Sequence, residues 1–373
     1  MSLVISIAGL LILAFSIWYL PWRIAALLGS KRSLAPFRAA LGLIMGCYLI
    51  AMHFLIFATG NVLIARLYLV WAIIFVFELY LFVILGLSQI LGLVFKKLKL
   101  KPKTALLGVV LLALGLSFYQ LYRTQDYVLS EYVIPVPGLE APVRIMHFAD
   151  LHLGAFRGQP FLRKIVDDAK RMEPDIVIWN GDLASSDLAL DESLFELFKE
   201  ISAEQYFTTG NHEFDININR LVSLLEKAGI VFLRSKMVET HGLQLIGLEY
   251  MNGGDSTDFY DAEAKMVTEL TIADVLPGIS RTYSAPTVVF HHSPVGIRHV
   301  SMGEVDVMLT GNTHAGQLSP LTTMFRLTWP NLKSGLRTVG HLNHLVSSGG
   351  GDYGAWFRFG TSYEFQVIDL IPG

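Results

Sequence analysis

Arg144-Ile-Met-His147-Phe-Ala-Asp150-Leu-His152-Leu-Gly154 is an apolar-rich run that ends abruptly in a carboxylate and an imidazole two residues apart. It reads as a buried strand that presents metal ligands from its C-terminal tip. In an open α/β sheet, ligands gather in the crevice outside the carboxyl ends of the strands, so an Asp-x-His pair there is placed for chemistry. One pair is weak evidence. Its weight comes from four further clusters of ligand-type residues downstream.

Around and beyond this run, short apolar stretches alternate with amphipathic ones from Val143 onward. Arg144–Phe148, Ile176–Trp179, Gln205–Thr208, Val231–Leu233, Leu243–Leu248 and Thr287–Phe290 are predicted strands; Phe161–Arg171, Leu194–Ile201 and Arg220–Ala228 carry helical periodicity. This is an α/β pattern. Val305–Thr310, Leu342–Ser348 and Phe365–Leu370 add enough β-type sequence for two sheets.

The clusters sit at the ends of these strands. Asn180-Gly181-Asp182 follows the second, Gly210-Asn211-His212-Glu213 the third, and His291-His292-Ser-Pro294 the Thr287 strand. Gly311-Asn312-Thr-His314-Ala-Gly316-Gln317 closes the series. Oxygen and imidazole donors without thiolates suit Mn, Fe, Zn or Co better than Ca. Two metals close together need a shared ligand, and Asp182 lies between the two groups in chain order. Such a pair clamps an in-line displacement at phosphorus.

At these residues the chain resembles the calcineurin-like metallophosphoesterases, whose five ordered signatures match Asp150-x-His152, Gly181-Asp182, Gly210-Asn211-His212-Glu213, the His-x-Pro at His292 and Gly-x-Thr-His314. The resemblance covers roughly residues 143 to 370. It implies a sandwich of two mixed sheets flanked by helices and a cofactor of two divalent metals. By position, the first metal would take Asp150, His152 and His314 with Asp182 shared, and the second Asp182, Asn211 and His292. His212 would face the substrate as the catalytic group that protonates the leaving oxygen. His291 is the fallback ligand and a candidate substrate contact.

One position departs from the family pattern. Asn312 stands where the family carries a second-metal imidazole. A weakened but assembled dinuclear site is the first reading of this change; an engineered exchange and a protein that binds without turnover are the others. Glu213 is expected either to orient Asn211 or His212 or to cap a helix, and His147 to pack as a core or supporting histidine. His341 and His344 fall near the expected rim. The segment Met324–Leu332, with Phe325 and Trp329, reads equally as a lipid- or acyl-binding loop and as a packed strand.

The chain is 53% hydrophobic with mean hydropathy +0.48, too apolar for a soluble enzyme of 373 residues. The excess lies at the front. Runs able to cross a bilayer need roughly twenty apolar residues, and Leu3–Trp22, Phe37–Thr59, Val62–Phe95 and Ala105–Leu121 approach or exceed that. The expected organisation is therefore an all-α transmembrane bundle of about four helices over 1–123, a linker over 124–142 and a catalytic domain over 143–373. The front resembles the membrane-tethered bacterial branch of the family.

Arg23, Lys31, Arg32 and Arg38 occupy one loop, and Lys96, Lys97, Lys99, Lys101 and Lys103 another. The positive-inside rule makes both cytoplasmic and puts the catalytic domain on the outer side, in the periplasm or at the cell surface. Residues 1–123 hold eleven basic side chains and one acid, Glu78, while 124–373 hold eighteen basic and thirty-one acidic ones. That acidic back half argues against nucleic acid as a partner, since such binding releases counterions from a basic surface. Cys47 is the single cysteine, so no disulfide forms within the chain.

The expected function is hydrolysis of a phosphodiester, phosphomonoester or pyrophosphate, in its sharpest form lipid-linked, beside the bilayer. The competing class is a receptor that binds a phosphorylated ligand through the same site. A third reading makes the front half a transporter working through Glu78 and Arg66.

Overall fold

A computed structural model of the chain describes residues 102–124, 126–154, 157–254, 268–317, 333–352, 358 and 360–373, together with Leu327 and scattered positions before residue 102. The first three apolar runs, Arg66, Glu78, Phe325 and Trp329 lie outside the described residues, save for isolated positions in those runs. Two compact units are present, one of Met1–Thr124 with Gly354–Phe357 and one of Gln125–Tyr353 with Arg358–Gly373.

In the first unit, helix α1 (Pro102–Arg123) coincides with the fourth apolar run. It exposes Leu107, Leu111, Leu112, Phe118, Tyr119 and Tyr122. Counted over the described residues alone, no helix is long and apolar enough to cross a membrane.

The second unit is built on two six-stranded mixed sheets. The first contains β1 (Val128–Val136), β2 (Val143–Phe148), β3 (Ile176–Asn180), β4 (Glu204–Thr208), β5 (Val231–Phe232) and β12 (Glu364–Pro372), in the order β1-β12-β2-β3-β4-β5. The second contains β6 (Lys236–Thr240), β7 (Leu243–Leu248), β8 (Thr287–His291), β9 (Val307–Thr310), β10 (Gly335–Val339) and β11 (Leu342–Val346), in the order β10-β11-β9-β8-β7-β6. Strands β2 to β5 run parallel, as do β7, β8, β9 and β11. All carboxyl ends of the central strands therefore open on one edge.

Alternation along β2 explains the layering. Ile145 packs between the sheets with Ile134, Ile178, Phe290 and Leu309. Met146 and Phe148 face the other way, onto helices α2 (Gln159–Met172) and α3 (Ile218–Lys227) through Ile165, Leu221 and Leu225. On the far side of the second sheet, Ile246, Val289 and Met308 pack with Val300 of α4 (Ile297–Met302). Both faces of each central strand are buried, so these strands read as continuous apolar runs.

Two expectations need correction. Residues 124–142 are not a linker, because β1 lies within them and pairs in parallel with β12 along its whole length. Pro135 suggests a turn, but β1 is an edge strand, where a residue without an N–H is tolerated. The helix expected over Leu194–Ile201 is instead a short α-turn at Glu192–Phe195 continued as a tight 3-10 turn to Glu200. Burying Leu194, Phe195, Leu197 and Phe198 together sets that path.

Candidate metal centre

The loops leaving β2 and β3 carry the first ligands and are zipped together. Asp150 N–H donates to Gly181 O (3.2 Å), His152 N–H to Asp182 O (2.9 Å) and Leu153 N–H to Leu183 O (2.9 Å). The pairing forces left-handed backbone at Asp150 (φ 56°), His152 (φ 51°) and Asp182 (φ 53°). Asn312 (φ 64°) and His314 (φ 46°) share it. Non-glycine residues in that region cost about 1–3 kcal/mol each, and such strain collects at functional sites.

Three overlapping groups of side chains result: Asp150, His152 and His314; His152, Asp182 and His212; Asp150, Asp182 and His292. All six residues are buried. His314 Nε2 lies 3.3 Å from Asp150 Oδ1 and 3.4 Å from His152 Nε2. His292 Nε2 lies 3.1 Å from Asp182 Oδ2 and 3.7 Å from Asp150 Oδ1. Asp182 belongs to two of the groups, its Oδ2 facing His292 Nε2, and among the described residues Asn211 Oδ1 is a buried acceptor without a hydrogen bond. Burying such acceptors unpaired is costly, and a cation held by hard oxygens and imidazoles removes that cost. The donor set therefore fits divalent metal.

The electrostatics point the same way. Burial favours a neutral Asp182, but His292, His212 and His152 outweigh it and hold the carboxyl well below its usual range. Burial also favours a neutral His292, yet Asp182 and Asp150 raise it to about 10. In this arrangement protons balance the charge that a metal would neutralise.

Supporting contacts aim the rings. His152 Nδ1 meets Ser185 Oγ at 2.7 Å, and His292 Nδ1–H donates to Asn180 O at 2.7 Å. Arg358 Nη2 donates to His314 Nδ1 (3.0 Å) and to Gly351 O (2.6 Å). Such outer partners fix ring orientation. Asp215 Oδ2 stands 3.5 Å from Nδ1 of His212 in the turn His212–Asp215.

Glu213 takes neither expected role. Its buried carboxylate accepts from the main-chain N–H of Asp182 (2.9 Å), Leu183 (2.8 Å) and Gly210 (2.6 Å), pinning the loops after β3 and β4 together. His291, the expected fallback ligand and candidate substrate contact, has both ring nitrogens engaged by main-chain groups. It ends β8 pointing opposite to His292, fully buried, with Nδ1 donating to Ser293 O (2.7 Å) and Nε2 accepting from Met251 N–H (3.2 Å). His344, expected near the rim, is buried against Thr310 Oγ1 at 3.0 Å, whereas His341 is exposed. His147 sits between the sheets as a supporting residue, bonded to Gln366 and Asn180.

Asn312 closes the site. Its main-chain N–H donates to both oxygens of Asp150 (3.2 and 3.1 Å), and its side-chain amide donates to Ser293 Oγ. Sequence reasoning missed the wall behind Asp150. A Cβ on Gly349 would stand 2.7 Å from Asp150 Cβ, and one on Gly311 2.6 Å from Asp150 Oδ2. The run Gly349-Gly-Gly351 just after a strand was the available signal.

The chain has counterparts among known proteins. Residues 143–317 match the family model described as calcineurin-like phosphoesterase. An uncharacterized metallophosphoesterase of Helicobacter pylori strain J99 is 26% identical over 65% of this chain and 64% of its own length. A zebrafish (Danio rerio) transmembrane protein with metallophosphoesterase domain is 27% identical over 61% of this chain and 53% of its own. The chain thus spans less than two thirds of either relative. Among solved structures, a dimetal phosphatase from Danio rerio superposes with TM-score 0.36 at 13% identity, covering 56% of this chain and 88% of that one.

Proposed function

From a calcineurin-like metallophosphoesterase domain over residues 143–317, we propose that this chain is a membrane-anchored, dinuclear metal-dependent phosphoesterase. Its substrate is a phosphodiester, phosphomonoester or pyrophosphate, lipid-linked in the sharpest form of the reading, met at the outer face of the bilayer. The observation that carries the chemistry is the position of Asp182, shared between two groups of buried ligand atoms.

Asp150, His152, His314 and Asp182 would hold the first ion, and Asp182, Asn211 and His292 the second, with Asn312 beside them. Such a pair would supply polarisation of phosphoryl oxygens and activation of water for in-line displacement. The rest falls to the chain's own side chains. His212, steadied by Asp215, hands a proton to the departing oxygen. Ser185, Asn180 and Arg358 keep the imidazoles of His152, His292 and His314 aimed. Exclusion of water by the glycine-lined wall behind Asp150 strengthens every charge interaction inside.

The membrane part of the reading rests on the four apolar runs and the two basic loops of the front half. The exposed apolar side chains of α1 support it. A lipid-linked substrate follows from that tether and from the Phe325 and Trp329 loop in the sequence. Native ions of the Mn, Fe, Zn or Co type follow from the donor set.

Asn312 supports a second reading, a receptor that binds a phosphorylated ligand without turnover, since a neutral amide replaces an imidazole and spends its N–H on Ser293. Hydrolysis of bis(p-nitrophenyl) phosphate by the purified chain with added Mn²⁺ separates the two. The enzyme reading expects turnover that falls at least about a hundredfold in Asp182→Asn; binding without turnover, or turnover indifferent to that change, contradicts it.

A further inference from the structure

Asn180 is the last residue of β3 and faces the space between the sheets, in line with Ile176 and Ile178. It is fully buried. Its side-chain Nδ2 lies 3.3 Å from the carbonyl of His291 at the end of β8, 3.1 Å from the carbonyl of Leu309 in β9, and 2.9 Å from His147 Nε2. Its own main-chain carbonyl accepts the Nδ1–H of His292. His147 is held in turn by Gln366 Oε1 of β12 (2.8 Å), and Gln366 Nε2 donates to Val346 O of β11 (3.3 Å). A short polar chain therefore crosses from one sheet to the other directly beneath the site.

Most of that interface is apolar, with Ile145, Val288, Phe290, Leu309 and Ile368 typical of it, and away from β8 and β9 Thr208 Oγ1 donates to Leu248 O of β7 (2.7 Å). Apolar burial holds two sheets together without fixing where they stop sliding, whereas hydrogen bonds are directional. Asn180 supplies that direction at the strands whose ends carry the second group of ligands. Asp182 follows Asn180 by two residues, His292 leaves β8, and Gly311-Asn312 leaves β9. Gly311 N–H donates to His292 O at 2.7 Å, so the two second-sheet tips move together. The first group is tethered differently, with Asp150 and His152 zipped to the β3 loop and His314 gripped by Arg358.

We propose that Asn180 is a positioning residue, a clasp between the two sheets that sets the spacing of the second metal's ligands and leaves the unshared ligands of the first metal, Asp150, His152 and His314, nearly untouched. The clasp presupposes the two-metal site proposed for this chain. Removing a partner that orients metal ligands weakens affinity about 10- to 100-fold, and here that loss falls on one ion of the two.

The test uses the full chain in detergent, as wild type, Asn180→Ala and the milder Asn180→Ser, which keeps one donor. Two readouts apply: backbone amide exchange of the metal-free protein, and Mn²⁺ titration followed by calorimetry and electron paramagnetic resonance. The clasp predicts exchange at least tenfold faster at Gly311 and over residues 291–293 in Asn180→Ala, with β12 unchanged and Asn180→Ser intermediate. It also predicts a first Mn²⁺ bound within threefold of wild type and a second weakened tenfold or more. Equal weakening of both ions, no weakening, unchanged exchange, or failure of both variants to fold overturns it, the last by making Asn180 a folding residue. A wild-type chain that binds fewer than two Mn²⁺ sinks the two-metal reading instead, and the clasp is then judged by amide exchange alone.

Discussion

At the residue scale, Asn312 is the informative departure. Its main-chain N–H supports Asp150, and its side chain is turned to Ser293. An imidazole at this position offers a stronger ligand for a borderline metal than a neutral amide oxygen. Asn312→His is therefore expected to tighten the second ion and raise the phosphodiesterase rate, both by about tenfold or more; identical metal stoichiometry and rate in the two proteins would sink this account of the position. Most donors are legible in the sequence because Asp-x-His, Gly-Asp and Gly-Asn-His are chemically unusual runs at strand ends. The roles of Glu213 and Asn180 are not, since, Gly210 aside, their partners lie thirty or more residues away. His291 misleads for a simpler reason: of two adjacent histidines on a strand, alternation sends one inward and one outward.

At the scale of elements, the strand ends are held by buried neutral histidines as well as by apolar packing. Burial lowers both His147 and His291 to about 4, against about 6.5 in an unfolded chain. Between those values the unfolded state binds more protons, so stability rises with pH across this window and is lost as pH falls from about 6.5 toward 4. Each group contributes on the order of 1–3 kcal/mol to that loss. Urea midpoints of the metal-free protein at pH 7 and pH 5 should differ accordingly, and His147→Gln should flatten the dependence; a midpoint insensitive to pH, or a slope the variant leaves unaltered, counts against it. The central strands β2, β3, β7 and β8 are legible because both faces are apolar. Edge strands β1, β6 and β10 are not, because half-exposed, polar or proline-bearing sequence carries little periodic signal.

At the scale of the whole molecule, the sequence divides into a basic, apolar front and an acidic back, and the proposed function needs both. A reporter fused after Gly373 is expected to be active on the outer side of the membrane; activity confined to the cytoplasm would reverse the orientation and with it the choice of substrate. The sandwich itself follows from the back half alone, since its two sheets lie wholly within Gln125–Gly373. Central to the proposed function is a pair of ions held by buried side chains from both sheets and sharing Asp182. Metal analysis of the purified full chain, set beside Asp182→Asn, tests it most directly. The account predicts close to two divalent ions per chain in the wild type and fewer than one in the variant, whereas a wild type without stoichiometric metal, or a variant that keeps its full complement, would contradict it.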